Sequence, residues 1–402
     1  MKQLTAAERK LIEPIDQAQM LARTERWSAL NSGTGNLAGL ARQAAELADA
    51  FAVLPGEIEL REPAPTTSVD AEGREVEIVH GKHIVLSVRP EADRRFLLTG
   101  HMDTVFPPEH PFQQGRWLDA DTYNAPGAAD MKGGLAVMLA ALQAFEVSGP
   151  AAGYDVMINS DEETGSLSSG ALIAELAADK AAALTYEPAA LPDGTLAHSR
   201  GGSGNYSLVV TGRSAHAGRN PQDGRNAIVA ASALAISLKA MEHAELTVNP
   251  AKIEGGSANN VVPDHAVLRF NIRPRNANAA QLFESDLDNL LHIIQRDHEV
   301  SVARHGGITR PPKTVDRGAQ ALFDLVRDAG ADLGQAIGWQ PSGGVCDGNN
   351  IAACGVPVVD TMGVRGGAIH SPDEYLIASS LSERAALSAL VLHRLAREGP
   401  KR

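Results

Sequence analysis

A histidine and an aspartate one residue apart, His101 and Asp103, follow the apolar run Phe96–Leu98. Such a run is typical of a buried strand, and Gly100 is predicted to end it. If the backbone stays extended beyond that glycine, both side chains leave the same face of the chain. An imidazole whose other ring nitrogen is held by a carboxylate is pre-oriented to bind a metal ion. Taken alone, however, His-x-Asp is common, and polar residues in a strand-end loop are the more ordinary interpretation.

Acidic or imidazole groups recur after several other predicted strands, at whose carboxyl ends open α/β sheets bind their ligands. Carboxylates mixed with imidazoles suit zinc, cobalt or manganese better than magnesium or calcium. Two imidazoles and three carboxylates exceed the needs of one tetrahedral ion but fit two ions that share a bridging carboxylate. Each residue could singly be a solvated loop residue, but their recurrence together favours a metal centre. The candidates are His101, Asp130, the run Asp161–Glu163, Glu187 and His370.

The elements that must position these groups predict an α/β domain. Residues 1 to about 60 have helical periodicity, and a long surface loop is predicted over 107–129. Strand, loop, helix and strand then alternate, which predicts a mixed, largely parallel sheet with helices on both faces. The predicted strands are Phe96–Leu98, Tyr154–Asn159 and Ala182–Tyr186, and the predicted helices are 135–145 (buried nearly all round) and 169–178.

The pattern changes from about Ser199, where the predicted order becomes βαββαβ. That order is typical of an α+β ferredoxin-like domain. The run Gly306–Pro312 is predicted to be its exit hinge, and Val356–Met362 and Ser380–Ala396 are predicted as a later strand and a closing helix. The sequence therefore predicts a discontinuous catalytic domain, residues 1–198 and 313–402, interrupted by an inserted domain, residues 199–312.

Composition narrows the class of protein. A length of 402 residues predicts two or three domains. A formal charge of −13 argues against a nucleic-acid partner. The longest apolar run, near Leu135, is too short to span a membrane, and the amino terminus lacks the apolar core of a secretion signal. Two cysteines provide no disulfide framework and no cysteine-zinc site. We therefore expect a cytoplasmic protein without a membrane partner.

Four segments together resemble one family: Gly100–Thr104, Gly127–Gly134, Asp161–Gly165 and Gly212–Gly218. It is the cocatalytic-zinc exopeptidase family of bacterial glutamate carboxypeptidase, acetylornithine deacetylase and succinyl-diaminopimelate desuccinylase. The motifs occur in the family's order and span roughly residues 95 to 375. The resemblance implies a zinc-exopeptidase-like fold, two divalent ions (most often zinc, with cobalt or manganese as alternatives) and a homodimer formed through the inserted domain.

The resemblance also implies roles at the metal centre. One carboxylate, Asp130, bridges the two ions and is followed by a cis peptide bond to Met131. Asp103 would lie behind His101, and Glu162 would be the general base that takes a proton from the attacking water and passes it to the leaving nitrogen. The other implied ligands are His101 with Glu187 at one ion, and Glu163 with His370 at the other.

The inserted domain adds implied substrate contacts. His216 would stabilise the oxyanion in the partner subunit's active site. Asn260 and Arg273 would bind the substrate carboxylate, for which the planar fork of arginine is suited; a surface salt bridge is the alternative for Arg273. The sequence departs from the family at two places: Cys346 stands where serine or threonine is usual, and Arg365 matches no family position. Both departures leave the substrate open.

The resulting interpretation is a di-metal amidohydrolase that cleaves a bond next to the free carboxylate of a small molecule. Glu187, rather than aspartate, resembles the carboxypeptidase and desuccinylase branches. Glutamate-carboxypeptidase-like activity is the first expectation, and N-acyl-amino-acid deacylase activity is the alternative. A binding protein with the same fold is a third hypothesis because fold alone does not prove activity, but here every ligand position and the base are filled.

Overall fold

The computed structural model describes residues 4–398. Its α-helices are α1 (Ala6–Ile12), α2 (Gln17–Ser28), α3 (Leu37–Phe51), α4 (Gly133–Val147), α5 (Gly170–Ala177), α6 (Ala227–Ala240), α7 (Ala277–His298), α8 (Arg317–Asp332), α9 (Asp347–Ala353) and α10 (Ser380–Glu398). Its strands are β1 (Glu57–Arg61), β2 (Thr66–Val69), β3 (Glu75–Ile78), β4 (His83–Val88), β5 (Arg95–His101), β6 (Arg116–Trp117), β7 (Thr122–Asn124), β8 (Gly153–Asn159), β9 (Ala182–Thr185), β10 (Leu196–Arg200), β11 (Ser203–Thr211), β12 (Ala215–His216), β13 (Leu246–Gly255), β14 (Val261–Val262), β15 (His265–Pro274), β16 (Ser301–Arg310), β17 (Trp339–Ser342), β18 (Val358–Val359), β19 (Gly366–Gly367) and β20 (Tyr375–Ile377).

The chain divides into two compact units. The hairpin of β2 and β3 belongs to the second unit, although the sequence order predicts it in the first domain. It is held there because Val69 packs in a cluster with Val209 and Val267, and because Arg269 donates to the Val69 carbonyl oxygen. The first unit is Met1–Ala64, His80–Ser199 and Thr314–Arg402, and the second is Pro65–Val79 and Arg200–Lys313.

The main sheet of the first unit has the strand order β1-β4-β8-β5-β9-β18. Strands β8, β5, β9 and β18 run parallel. At one edge, β4 pairs antiparallel with β8, and β1 pairs antiparallel with β4. Successive side chains of β5 enter different clusters: Leu98 packs with residues of α4 and α10, and Leu97 packs with residues of α5 and α9. Because helices cover both faces, the predicted mixed α/β fold is confirmed.

Three local predictions for the first unit are wrong. Strand β5 continues through Gly100 to His101; a Cβ at Gly100 would lie 2.7 Å from Leu135 Cδ2, so this glycine permits close packing and does not end the strand. The region 107–129 is not a surface loop throughout, since β6 and β7 form there and Tyr123–Ala129 is buried. The strand predicted over Val356–Met362 is only the two-residue β18.

The second unit contains an antiparallel sheet of order β13-β15-β11-β16. Apolar residues of α6 and α7 pack with this sheet in one cluster, and the chain order βαββαβ is the ferredoxin-like order predicted from the sequence. The predicted hinge at Gly306–Pro312 is wrong over most of its length, because β16 extends to Arg310. Gly306 has φ +85°, and a Cβ there would lie 2.1 Å from the Asn205 carbonyl oxygen. Among the described residues, the helices are all too short or too polar to cross a bilayer.

Candidate metal centre and active site

The parallel strands of the first unit bring three of the predicted groups to one edge of the sheet. Strand β5 lies between β8 and β9 and ends at His101. Glu162 and Glu163 begin a 3₁₀ turn shortly after β8, and Glu187 follows β9 by two residues. Because the three strands are parallel, their carboxyl ends meet at the same edge, where ligands bind in open α/β sheets.

The imidazole of His101 is oriented by Asp103 and is 1% exposed. Its Nδ1 lies 3.0 Å from the Asp103 carbonyl oxygen and 3.4 Å from Asp103 Oδ1. A carbonyl oxygen can only accept, so in the neutral imidazole Nδ1 carries the proton and Nε2 has the lone pair. Nε2 lies 3.1 Å from Asp130 Oδ1 and 3.8 Å from Glu187 Oε2. This is the tautomer that a metal-binding histidine needs.

Asp130 lies in a short distorted turn just before α4, and its peptide bond to Met131 is cis, as the resemblance implies. A Cβ at Gly134, in the first turn of α4, would lie 2.0 Å from the Tyr186 carbonyl oxygen. The absence of a side chain at that position therefore lets α4 begin against the chain that carries Glu187. Asp130 Oδ1 faces His101, and Asp130 Oδ2 lies 3.2 Å from Nε2 of His370.

The structure brings the five expected ligands together in two groups that share Asp130. Within each group the ligand atoms all lie within 4.8 Å of one another. Several neighbouring donors are 3.1–3.8 Å apart, which fits atoms that each bind a common ion at about 2.0–2.2 Å. Imidazole nitrogens and carboxylate oxygens are a suitable donor set for a divalent transition metal. The groups are His101, Asp130 and Glu187, and Asp130, Glu163 and His370.

The electrostatics of both groups favour a cation. Burial alone would lower the pKa of His101, but hydrogen bonds to the surrounding carboxylates outweigh it and hold that pKa well above the usual range. The pKa of His370 is raised to about 11, chiefly by hydrogen bonds to Asp130 and Glu163. Burial, followed by the negative charge of Asp130, raises the pKa of Glu163 to about 7. The closely packed carboxylates thus favour positive charge on the two histidines, as they would favour a bound cation.

The turn that carries Glu162 and Glu163 is fixed through its backbone. The Glu162 amide donates to Asp103 Oδ1 and the Glu163 amide to Asp103 Oδ2, each at 3.2 Å. The hydroxyl of Thr34 also donates to Asp103 Oδ2, at 2.8 Å. Asp161, the first member of the acidic run, belongs to neither ligand group; its Oδ2 accepts from the amide and hydroxyl of Ser168.

The predicted substrate-binding residues lie in the second unit. His216 and Asn260 are neighbours, since β12 pairs with β14 and the Ala217 amide donates to the Asn260 carbonyl oxygen. His216 Nδ1 accepts from the Gly218 and Arg219 amides at 3.1 and 3.2 Å. The proton of a neutral His216 is therefore on Nε2, which can act as a donor.

Arg273 lies near the end of β15 and is exposed. Its Nε donates to Asn271 Oδ1 at 2.9 Å. Asn271 is itself held, since its amide nitrogen donates to Asn205 Oδ1 and to the Gly204 carbonyl oxygen. No carboxylate within the described residues forms a salt bridge with Arg273, so the alternative of a surface salt bridge is not what the structure shows.

The structure shows the surroundings of the two residues that depart from the family pattern, Arg365 and Cys346. Arg365 donates to the Pro192 carbonyl oxygen and forms a 3.1 Å salt bridge with Glu383. Cys346 is buried at the amino-terminal cap of α9.

Sequence reasoning missed Thr34 and Glu374; Glu374 accepts hydrogen bonds from the backbone that carries Asp130. Only the nearness of Glu374 to His370 in the sequence could have indicated it, and no sequence signal marks Thr34.

The fold and the paired ligand groups define a metal-dependent hydrolase, and sequence comparison agrees. The profile of peptidase family M20/M25/M40 matches residues 97–394, well over half of the chain. The chain belongs to this family, as the resemblance implies, and it is a metallopeptidase or amidohydrolase acting on peptide or amide bonds.

Two curated relatives illustrate the match. Carboxypeptidase G2 of Pseudomonas sp. (strain RS-16) is 28% identical over 393 residues, covering 94% of this chain and 89% of the relative. Succinyl-diaminopimelate desuccinylase of Halorhodospira halophila is 28% identical over 327 residues, covering 75% and 83%. At this level of identity the family is shared, but the substrate is not established by the comparison.

Solved structures share the fold. Aminopeptidase PepT of Bacillus cereus has a TM-score of 0.72 at 20% identity, covering 95% of this chain and 100% of that chain. The YXEP protein of Bacillus subtilis, described as a dinuclear metal-binding peptidase of the M20 family, has a TM-score of 0.63 at 15% identity, covering 94% and 98%.

Proposed function

We propose that the chain is a di-metal hydrolase that cleaves a peptide or amide bond next to a free carboxylate, as a glutamate carboxypeptidase does. The observation that carries the proposal is the pair of ligand groups joined by Asp130, with Glu162 on a turn whose backbone is fixed beside them. The proposed ions are zinc, with cobalt or manganese as alternatives. Similarity to carboxypeptidase G2 over 94% of the chain supports this choice of substrate class.

Two bound divalent ions would polarise the scissile carbonyl and lower the pKa of the attacking water. The five ligands would hold them, with Asp130 contributing one oxygen to each group. Glu162 takes the proton from the water and delivers it to the leaving nitrogen, the task of a carboxylate that is not used as a ligand. Asp103 has a positioning task, since it orients His101 and holds the Glu162 backbone.

Arg273 recognises the free carboxylate of the substrate, assisted by Asn260. The single hydrogen bond from Arg273 Nε to Asn271 fixes the guanidinium plane and leaves its terminal nitrogens available. Two parallel N–H donors match a carboxylate bidentately, which a lysine could not do.

His216 acts in the partner subunit of a homodimer formed through the second unit. Its Nε2–H is the donor left after Nδ1 accepts two backbone amides, and such a donor stabilises the oxyanion that develops during attack. A twofold dimer presents the same surface reciprocally, so each chain supplies one histidine to the other. We place this dimer in the cytoplasm, in agreement with the sparing use of cysteine.

A substrate panel tests the proposal. The purified protein, loaded with zinc, cobalt or manganese in turn, is given dipeptides and N-acyl amino acids, each as the free acid and as the α-amide. Hydrolysis of the free acids, with substrates that end in glutamate preferred, is expected. Preference for succinyl or acetyl groups would instead support the deacylase alternative, which the desuccinylase relatives favour. Equal hydrolysis of acids and amides would contradict carboxylate recognition, and tight metal binding with no hydrolysis would favour a binding protein.

A further inference from the structure

A buried carboxylate outside the two ligand groups lies beneath the turn that carries Asp130. Glu374 is 1% exposed. Its Oε1 accepts from the Ala129 and Asp130 amides, and its Oε2 accepts from the Gly127 amide, each at 3.0 Å. Both oxygens are therefore used to hold one short stretch of backbone.

The backbone of the same residue is tied to the chain that leads into that turn. The side-chain amide of Asn124, the last residue of β7, donates to the Glu374 carbonyl oxygen at 2.6 Å and to the Pro372 carbonyl oxygen at 3.0 Å. Strand β20, which follows Glu374, pairs with β7, with Tyr375 opposite Asn124. The segment immediately after His370 is thus bound to the chain just before Asp130 through both side chain and backbone.

These contacts join the two loops whose ligands must meet. Asp130 Oδ2 and His370 Nε2 are 3.2 Å apart, although their residues are far apart in the sequence. His370 is half exposed and has φ +63°, so little packing holds its own side chain. Its position relative to Asp130 depends on the segment from Pro372 to Glu374, which is buried at its end.

We propose that Glu374 is a positioning residue that fixes the carboxylate of Asp130 relative to His370. It thereby determines how tightly the ligand group of Asp130, Glu163 and His370 binds its ion. The inference rests on the proposed metal centre. It assigns Glu374 no contact with substrate or metal; Glu374 acts through the amides of the Asp130 turn and through Asn124. The competing interpretation is a purely structural one, in which Glu374 only satisfies buried amides and contributes to stability.

The test is zinc affinity of Glu374→Gln, measured by competition with a chelator, together with the absorption spectrum of the cobalt-loaded protein. Glutamine has the same shape, and its carbonyl oxygen can still accept the Ala129 and Asp130 amides. Its NH₂ group then faces the Gly127 amide, so one hydrogen bond becomes a contact between two donors. We expect affinity for one of the two ions to fall about 10- to 100-fold, the usual effect of losing a partner that orients a ligand, and the cobalt spectrum to change.

Glu146→Gln is the matched control. Glu146 lies near the opposite end of α4, and its carboxylate is held by Arg89. This variant should lose stability but keep the zinc affinity and the cobalt spectrum of the wild type. If Glu374→Gln also keeps both while its melting temperature falls, the role of Glu374 is structural and the proposal is overturned.

Asn124→Ala provides a second route if Glu374→Gln does not fold. It removes the link to the Pro372 and Glu374 carbonyl oxygens but leaves the carboxylate of Glu374 in place. Zinc affinity should again fall. The variant that carries both Glu374→Gln and Asn124→Ala should lose less zinc affinity than the product of the two single fold-changes, because both substitutions act through one connection. Unchanged affinity in Asn124→Ala would contradict the proposal. If the wild type itself binds no ion, the metal centre fails first and this proposal with it.

Discussion

Glu162 and Glu163 are adjacent carboxylates to which the proposed function gives different tasks. Glu163 Oε2 lies 3.1 Å from His370 Nε2 and belongs to a ligand group. Glu162 belongs to neither group and is assigned the proton transfer. Changing each to glutamine should therefore separate chemistry from metal binding, even though the two changes are one residue apart and equal in size.

The two changes should affect different quantities: turnover in Glu162→Gln and zinc affinity in Glu163→Gln. Glutamine cannot accept the proton of the attacking water, so Glu162→Gln should reduce turnover by at least the roughly 10²–10⁴ of a general base. Its amide hydrogen bond to Asp103 is a backbone contact and remains, so metal content should stay near that of the wild type. Glu163→Gln removes an anionic ligand from a group of three, so its zinc affinity should fall and its turnover should recover partly with excess metal.

The assay measures metal content by mass spectrometry after gel filtration, and turnover with the best substrate from the panel at increasing zinc concentration. Glu175→Gln is the control, since Glu175 is 59% exposed and pairs only loosely with Arg61, at 3.4 Å. Near-normal turnover in Glu162→Gln would refute its role as the base. Loss of metal from Glu162→Gln with retention in Glu163→Gln would show that the two roles are exchanged.

Three further outcomes are expected. Arg273→Ala should raise KM for free-acid substrates about tenfold to a hundredfold, the effect of losing a charged hydrogen bond, and should leave KM for the α-amides unchanged; equal effects on both would contradict carboxylate binding. Because Glu163 (pKa about 7) and His370 (pKa about 11) must lose protons to become ligands, zinc affinity should fall as the pH is lowered from about 11, and more steeply below about 7, with calorimetrically detected proton release; pH-independent binding would refute this. Mixing inactive His216→Ala and Glu162→Gln chains should restore about a quarter of wild-type activity, because about half of the reassorted dimers have one competent site; no recovery despite proven exchange would place His216 outside the partner's site.

The approach of three of the expected ligands, His101, Glu163 and Glu187, could be anticipated because each lies at or just after the end of a strand that the sequence pattern indicates. The carboxyl ends of parallel strands lie at one edge of a sheet, and the pairing of β5 with β9, which the sequence does not predict, places His101 near Glu187. Asp130 and His370 lie outside the regular strands, so strand order does not indicate their approach. The resemblance to the family motifs indicates it instead.

Contacts made through backbone amides could not be anticipated. The hydrogen bond from Thr34 to Asp103 joins residues 69 positions apart, and Glu374 binds amides whose availability depends on the local turn. Neither residue type is unusual in its position, so neither leaves a pattern. Two glycines differ from the prediction for a related reason: the sequence predicts Gly100 as a strand end and Gly306 as part of a hinge, but both lie within strands where another chain segment approaches closely.

Asp103 explains why the base and the ligands can be expected to act as one unit. Its carboxylate lies beside His101 Nδ1, and its two oxygens accept the amides that begin the turn of Glu162 and Glu163. A displacement of this carboxylate would therefore rotate a ligand and shift the base together. Proton transfer would require the proposed base, Glu162, to stay within hydrogen-bond reach of the attacking water. Because the side chain is fully buried and also held by Thr34, the position of the Glu162–Glu163 turn relative to His101 is set by the core of the protein and does not depend on an exposed loop.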